Sequence, residues 1–337
     1  MSQLSLLADL RRVSAEIGRD RLLVQGGGGN SSLKCGKRLH VKASGHWLCD
    51  AENLDMFVEL DLTKARKLAS NGTEDLSSAV RGKSELRPSI ETAMHALMPQ
   101  PCVIHTHPVS LIARSLLGED AGLPVIDYCQ PGAPLAAAMA GRIATGAPDA
   151  VLLANHGLVV GAETPEQAAR LTRDLASEHD LPVQIQPAGV APLPKLSGFV
   201  PLAHPLANGV ACTPDSWRIL GAAALVPDQV VYLGGPACIA ENVEALPNAL
   251  RAYARRTSTR PGLLLVKNTG AWISETASPG ALAMAQMLVD LAARIPEGSE
   301  ISTLTEEDEM VLRGWDAEAH RQAVDSARSA DKKEAAA

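Results

Sequence analysis

His105 and His107 flank Thr106 at the end of the apolar run PCVIHTH. In a strand, residues two apart point to the same face, so both imidazoles can converge on one ion while Thr106 turns away. Neutral imidazole is the commonest protein ligand for zinc, and a catalytic zinc takes three protein ligands and keeps a position open for substrate. A third ligand must come from elsewhere. His156 is the natural candidate: Asn155-His156-Gly157 ends another apolar run, AVLLANHG, at the side of a sheet where open α/β folds place their sites. Gly157 removes side-chain bulk beside the ion. Each histidine taken alone reads more readily as a packed or hydrogen-bonded residue, and the weight lies in the combination. Glu91, on the predicted helix SIETAMHALM ahead of the strand, adds a carboxylate. His95, four residues on, shares its helical face in a supporting or packing role.

These groups need a sheet and helices to hold them. The runs RLHVKA, MFVEL, CVIHTH, PVIDYC and AVLLANHG read as strands, and SIETAMHALM, PVSLIARSLL and TPEQAARLTRDLASEH as helices between them. The last has Thr164 as N-cap and Pro165 at the first helical position. The pattern predicts an α/β fold with a layered α/β/α domain over 1–180. Prolines at 182, 187, 192, 194, 201 and 205 make 181–210 an extended connector. A second α/β domain is expected over 211–325, and a disordered tail over 326–337, where SARSADKKEAAA is low in apolar residues. Segment 150–176 has a counterpart in 263–295: an apolar strand, an Asn-x-Gly corner, a short strand, then a Ser/Thr-Pro helix start. That pairing suggests duplication, although strand-turn-helix units are common enough to match by coincidence. Thr269 stands where the first copy has His156, and no His-x-His lies upstream, so the second copy reads as a degenerate, structural half or as the seat of a regulator.

With 337 residues, 46% hydrophobic and 20% charged, the chain can bury a sizeable core. A formal charge of -7 gives no electrostatic reason to bind nucleic acid or anionic membrane, and a small-molecule partner is the better expectation. The N-terminal leucines are interrupted by Asp9, Arg11, Arg12 and Glu16, which reads as an amphipathic helix rather than a signal peptide. No apolar run approaches the roughly 20 residues of a spanning helix. Six dispersed cysteines with no CxxC pair point to reduced side chains and a cytoplasmic protein. Gly26-Gly27-Gly28-Gly29-Asn30-Ser31-Ser32 is not a dinucleotide fingerprint, because position 31 is Ser and strand rather than helix follows.

Taken in order, GGGGNSS, VKASG, RPSIETAMHAL, HTHP and NHG resemble the class II aldolase/adducin family, which contains fuculose-phosphate and rhamnulose-phosphate aldolases. The resemblance covers roughly residues 4–180. Beyond it, VPDQVVYLG, LLLVKNTGAW and GWDAEAHRQA are similar to the aldolase part of longer bacterial rhamnulose-1-phosphate aldolase/dehydrogenase proteins. The family implies a zinc-dependent lyase with His105, His107 and His156 as ligands and Glu91 as acid/base. It cleaves a ketose or ketose 1-phosphate to dihydroxyacetone (phosphate) and a small aldehyde through an enediolate. Relatives with the same metal site epimerise, dehydrate or decarboxylate, and the adducin branch serves assembly; retention of three histidines with Glu91 argues against the latter. Tyr128, one of three tyrosines, matches the family tyrosine that reaches in from an adjacent subunit, and also reads as interface packing. A homo-oligomer, usually a tetramer, is implied. The family's phosphate site maps onto Gly29, Asn30, Ser44, Gly45 and Ser89, but Ile90 stands where a second hydroxyl would be. That departure leaves the substrate's phosphate open; Lys42, Lys83 or Arg87 could compensate, although charges near a loop read more readily as solvated surface.

Overall fold

The computed structural model describes residues 3–188 and 192–334. These fall into two units, one running to Leu111 and from Asp120 to Asp180, the other taking Ile112–Glu119 and the chain from Leu181 onward.

In chain order the first elements are α1 (Gln3–Gly18), β1 (Asn30–Cys35), β2 (Arg38–Lys42), β3 (Phe57–Asp61), α2 (Leu62–Ser70), α3 (Thr92–Leu97), β4 (Cys102–Thr106), α4 (Val109–Leu116), β5 (Val125–Ile126), α5 (Ala133–Ala144), β6 (Ala150–Leu153), β7 (Gly157–Ala162) and α6 (Pro165–Glu178). The seven strands form one sheet in the order β3-β2-β1-β4-β7-β6-β5. All its pairs are antiparallel except β5 with β6.

Period-two alternation decides which face each residue joins. On β4, Cys102 and Ile104 join Leu33, Leu158 and Val160 beneath Leu10, Val13 and Ile17 of α1 and Ala168 and Ala169 of α6. Val103 points the other way and packs with Val151 and Val159 against Met94 of α3 and Leu135 and Met139 of α5. His105 shares that second face. The result is helices on both sides of a sheet, as expected for an α/β/α domain. Asp61 caps α2 by accepting from Lys64 N at 2.9 Å, and Thr164 caps α6 by accepting from Gln167 N at 3.3 Å.

The second unit continues with β8 (Phe199–Pro201), α7 (Ala207–Ala211), α8 (Pro214–Ala222), α9 (Pro227–Leu233), β9 (Cys238–Ala240), α10 (Leu246–Thr257), β10 (Leu263–Val266), β11 (Gly270–Ser274), α11 (Pro279–Ala292), α12 (Glu306–Arg313) and α13 (Asp316–Glu334). Its sheet has the order β8-β11-β10-β9, with β9 parallel to β10 and the other pairs antiparallel. Trp272, Leu264, Val266 and Tyr253 lie in its core.

Two sequence expectations are corrected here. The proline-rich segment is not extended throughout: β8 pairs with β11, and α7 begins at Ala207. Pro201 is tolerated because β8 is an edge strand. The tail is helical to Glu334 within α13, and its last three positions, 335–337, lie outside the described residues. The polar side of that helix is anchored, not merely solvated: the Arg321 guanidinium donates to Glu318 and Asp228 at 3.0 Å, and Asp325 accepts from Gly280 N at 2.9 Å. Alanine, arginine, lysine and glutamate, which fill this tail, are good helix formers. Among the described residues no helix is long and apolar enough to cross a membrane.

Candidate metal centre

Three elements bring the histidines together. His105 lies on β4, His107 directly after it, and His156 at the corner between β6 and β7. The corner turns at Asn155, whose φ of 56° lies in the left-handed region that asparagine tolerates, and His156 N donates to Leu153 O at 3.1 Å. His107 is held through its backbone, N donating to Leu23 O at 2.8 Å and O accepting from Gln25 Nε2 at 3.3 Å.

All three rings are buried, and one nitrogen of each lies within 4.8 Å of the others. The Nε2 atoms of His105 and His107 are 3.1 Å apart. Two nitrogens on a tetrahedral zinc, at about 2.0–2.1 Å from it, would be separated by roughly 3.3 Å. His105 Nδ1 lies 3.0 Å from Leu158 O, and a carbonyl only accepts, so Nδ1 carries the proton and the Nε2 lone pair faces the other rings. Gly157 is required by the same close approach. A Cβ there would sit 2.2 Å from Thr106 O, 3.0 Å from His107 Cδ2 and 3.2 Å from His105 Cε1.

Glu91 completes the group, though not from within a helix as the sequence predicted. It is the residue before α3, with φ −95° and ψ 9°. Its Oε2 is 3.6 Å from His105 Nε2 and its Oε1 is 3.5 Å from His156 Nε2. Burial pushes its carboxyl up; positive charge at His105 and His156, when those rings are protonated, together with the hydrogen bond from Asn30, outweighs burial and holds it well below the ordinary carboxylate range. Oε1 is buried with no hydrogen-bond partner among the described residues. A buried carboxylate with an unsatisfied oxygen costs on the order of several kcal/mol unless a cation faces it. Three convergent imidazole nitrogens and this oxygen fit a divalent ion.

The residues matched to a phosphate site are arranged beside Glu91, with their polar atoms partly committed. Asn30 Nδ2 donates to Glu91 Oε2 at 2.7 Å and to Ser89 Oγ at 3.3 Å, and its Oδ1 accepts from His95 Nε2. Ser89 Oγ also accepts from Glu91 N at 3.3 Å. Ser44 is buried with its Oγ unbonded among the described residues, and Gly29 and Gly45 have φ of 60° and 77°. The Lys42 ammonium is buried and donates to Gly27 O at 2.9 Å and His46 O at 2.6 Å, tying the glycine loop to the Ser44-Gly45 turn. Lys83 is exposed and Arg87 half-buried. Tyr128 is half-buried just after β5, with β7 and β6 between that strand and β4. Adjacent strands are about 4.8 Å apart, which puts β5 roughly 14 Å across the sheet from the histidine strand.

Ser32 and its link to His95 were not singled out from sequence. Ser32 lies two residues from Asn30 on β1 and so shares its face, which is the signal that would have found it.

The class II aldolase and adducin N-terminal domain matches residues 8–177. The chain is also similar to an uncharacterized oxidoreductase, YuxG, of Bacillus subtilis (strain 168), with 30% identity over 190 residues, 48% of this chain and 27% of the relative. It thus spans about a quarter of that relative's length. Among solved structures it is similar to the N-terminal class II aldolase domain of a conserved protein from Thermoplasma acidophilum, at 25% identity and TM-score 0.45, covering 53% of this chain and 92% of that one. It is also similar to L-fuculose-1-phosphate aldolase from Thermus thermophilus, at 19% identity and TM-score 0.40, covering 52% and 91%. Because the matched domain spans half the chain and takes in the whole seven-stranded sheet, this protein belongs to the class II aldolase and adducin family.

Proposed function

We propose that the chain is a divalent-metal-dependent lyase, with zinc as the ion, that reversibly cleaves a ketose or ketose 1-phosphate to dihydroxyacetone (phosphate) and a small aldehyde. One observation carries this reading: a buried carboxylate, Glu91, lies 3.5–3.6 Å from two of three convergent imidazoles and keeps one oxygen unbonded. An ion held by His105, His107 and His156 would supply Lewis acidity to negative charge developing on the carbonyl oxygen. The protein's own groups supply the rest. Glu91, aimed by Asn30, moves a proton between water and the carbon that parts from the aldehyde, adding it in cleavage and removing it in the reverse direction. Gly29, Ser44, Gly45 and Ser89 line the adjoining loops, where backbone N–H groups and the Ser44 hydroxyl receive the far end of the substrate. Tyr128 is the second proton carrier, acting at the aldehyde oxygen in the site of a neighbouring copy in a homo-oligomer, with a tetramer the form proposed. The second unit, with Thr269 where the first has His156, serves as a degenerate structural half.

The test combines metal content with products. Purified protein is expected to hold about one zinc per chain. Incubated with ketose 1-phosphates, free ketoses and 3-oxo acid phosphates, it is expected to release an aldehyde and a three-carbon ketone. Carbon dioxide or an isomeric sugar as product would replace the aldol reading by decarboxylation or epimerisation, and metal-free protein would overturn the site itself.

A further inference from the structure

Behind Glu91 runs a chain of polar side chains that the proposed chemistry does not by itself require. Ser32 Oγ lies 2.8 Å from His95 Nδ1, His95 Nε2 meets Asn30 Oδ1, and Asn30 Nδ2 reaches Glu91 Oε2 at 2.7 Å. Sheet register aligns it. Asn30 is paired with His105 across β1 and β4, and Ser32 with Val103, so both point to the face from which α3 delivers His95. His95 has no exposed surface, which leaves no solvent to rearrange its bonds.

We propose that His95 is a positioning residue for Glu91, acting through Asn30, and that the hydrogen bonds from Ser32 to Glu91 all run in one direction. The polarity follows from what each atom can do. A carboxylate only accepts, so Asn30 must present its amide nitrogen to Glu91 and its carbonyl oxygen to His95. That oxygen also only accepts, so His95 carries its proton on Nε2. Nδ1 is then an acceptor, and Ser32 donates to it. Every link is fixed by its neighbour. An Asn30 side chain turned by 180° would set its carbonyl oxygen against the Glu91 carboxylate and its amide nitrogen against the Nε2 proton, two repulsive contacts in a buried site. Burial drives the His95 ring down to about 3, and the charge of Lys34 adds to this, so the ring stays neutral in ordinary buffers. The Asn30 side chain is thereby committed: its oxygen to His95, its two N–H groups to Glu91 and Ser89.

The catalytic meaning of this arrangement rests on Glu91 being the proton carrier, whereas the hydrogen-bond polarity does not. Zinc-loaded protein labelled with 15N at histidine is expected to show His95 as the Nε2–H tautomer in long-range 1H–15N spectra. The Asn30 side-chain amide protons are expected to exchange with solvent at least about tenfold more slowly than in His95→Phe. In that variant kcat is expected to fall about 10–100-fold at unchanged zinc content and little-changed KM, the scale set by outer-shell partners of metal sites. His95→Gln, whose amide N–H can stand where Nε2–H stood, is expected to recover most of the loss. An Nδ1–H tautomer in the wild-type protein, or Asn30 protons equally protected in His95→Phe, overturns the proposal. If the wild-type protein yields no aldol products, the lyase reading falls, and the tautomer and exchange measurements still decide this one.

Discussion

The corner at Asn155-His156-Gly157 and the corner at Asn268-Thr269-Gly270 are built alike, and among the described residues only the first is gathered with two further imidazoles. In the first, Leu153 pairs with Gly157 across β6 and β7; in the second, Val266 pairs with Gly270 across β10 and β11. The asparagine φ angles are 56° and 55°, and His156 N and Thr269 N each donate at 3.1 Å to the last strand residue, Leu153 and Val266. A parallel strand flanks each hairpin on one side and an antiparallel strand on the other. Each is followed by a 14-residue helix capped by Thr164 or Ser278. The backbone solution is the same, so it does not determine the chemistry. Register extends the comparison: β7 places Val159 opposite His105, and the equivalent Trp272 faces Pro201, so Pro201, Ala203 and Thr269 occupy the positions of His105, His107 and His156.

The largest effect is expected from making the first corner resemble the second. His156→Thr removes one of three nitrogens and is expected to abolish zinc retention on dialysis. Turnover should drop by more than the roughly 100-fold ceiling typical of outer-shell changes. The reverse change, Thr269→His, is expected to bind no zinc by metal analysis, because Pro201 and Ala203 offer no ligand. Retained zinc in His156→Thr would show that the first corner is as structural as the second.

Much of this comparison was legible in the sequence because it depends on local pattern. Alternation on β4 puts two imidazoles on one face, and an Asn-x-Gly triplet signals the corner. Their meeting with Glu91 was inferred from motif order, and the structure gathers these groups through strand pairing. The role of Asn30 was not legible. It depends on Asn30 lying opposite His105 and on His95 reaching it from α3, contacts 75 and 65 residues apart that no local pattern reports. The helical reading of Glu91 failed because helical periodicity does not distinguish the residue preceding a first turn from one inside it. The proline count between 182 and 205 likewise concealed β8, since a three-residue edge strand needs few backbone donors and tolerates Pro201.

The two corner glycines sharpen the comparison at intermediate size. In Gly157→Ala the new methyl meets the Thr106 carbonyl oxygen at 2.2 Å, and backbone cannot step aside without moving His105 and His107. A loss of about 3 kcal/mol, the upper end for overpacking, is expected in urea denaturation, together with weakened zinc binding. In Gly270→Ala the contacts are Leu193 Cδ2 at 2.7 Å and Asn208 Oδ1 at 3.0 Å, ends of side chains that can rotate. Reduced freedom of the unfolded chain offsets part of that crowding, so the change should stay within about 1 kcal/mol. Equal costs at the two positions would mean that the metal ligands do not restrict Gly157.

The smallest difference is expected at the two helix caps, and it follows from what each helix is packed against. Thr164 Oγ1 accepts from Gln167 N in an exposed setting, and α6 buries four residues: Pro165, Ala168, Ala169 and Thr172. In Thr164→Ala the released N–H turns to water, and the loss should be about 0.5–1 kcal/mol. Ser278 Oγ accepts from Ala281 N, and Ala281 is itself buried on a helix whose residues from Met287 to Ala292 are buried without a break. In Ser278→Ala that N–H has less access to water, so the cost should lie nearer about 2 kcal/mol, the upper end for a lost cap. Ser278→Asp keeps the acceptor and should recover most of it. If urea denaturation gave Thr164→Ala the larger cost, α11 would be the less deeply embedded of the two helices, contrary to its burial.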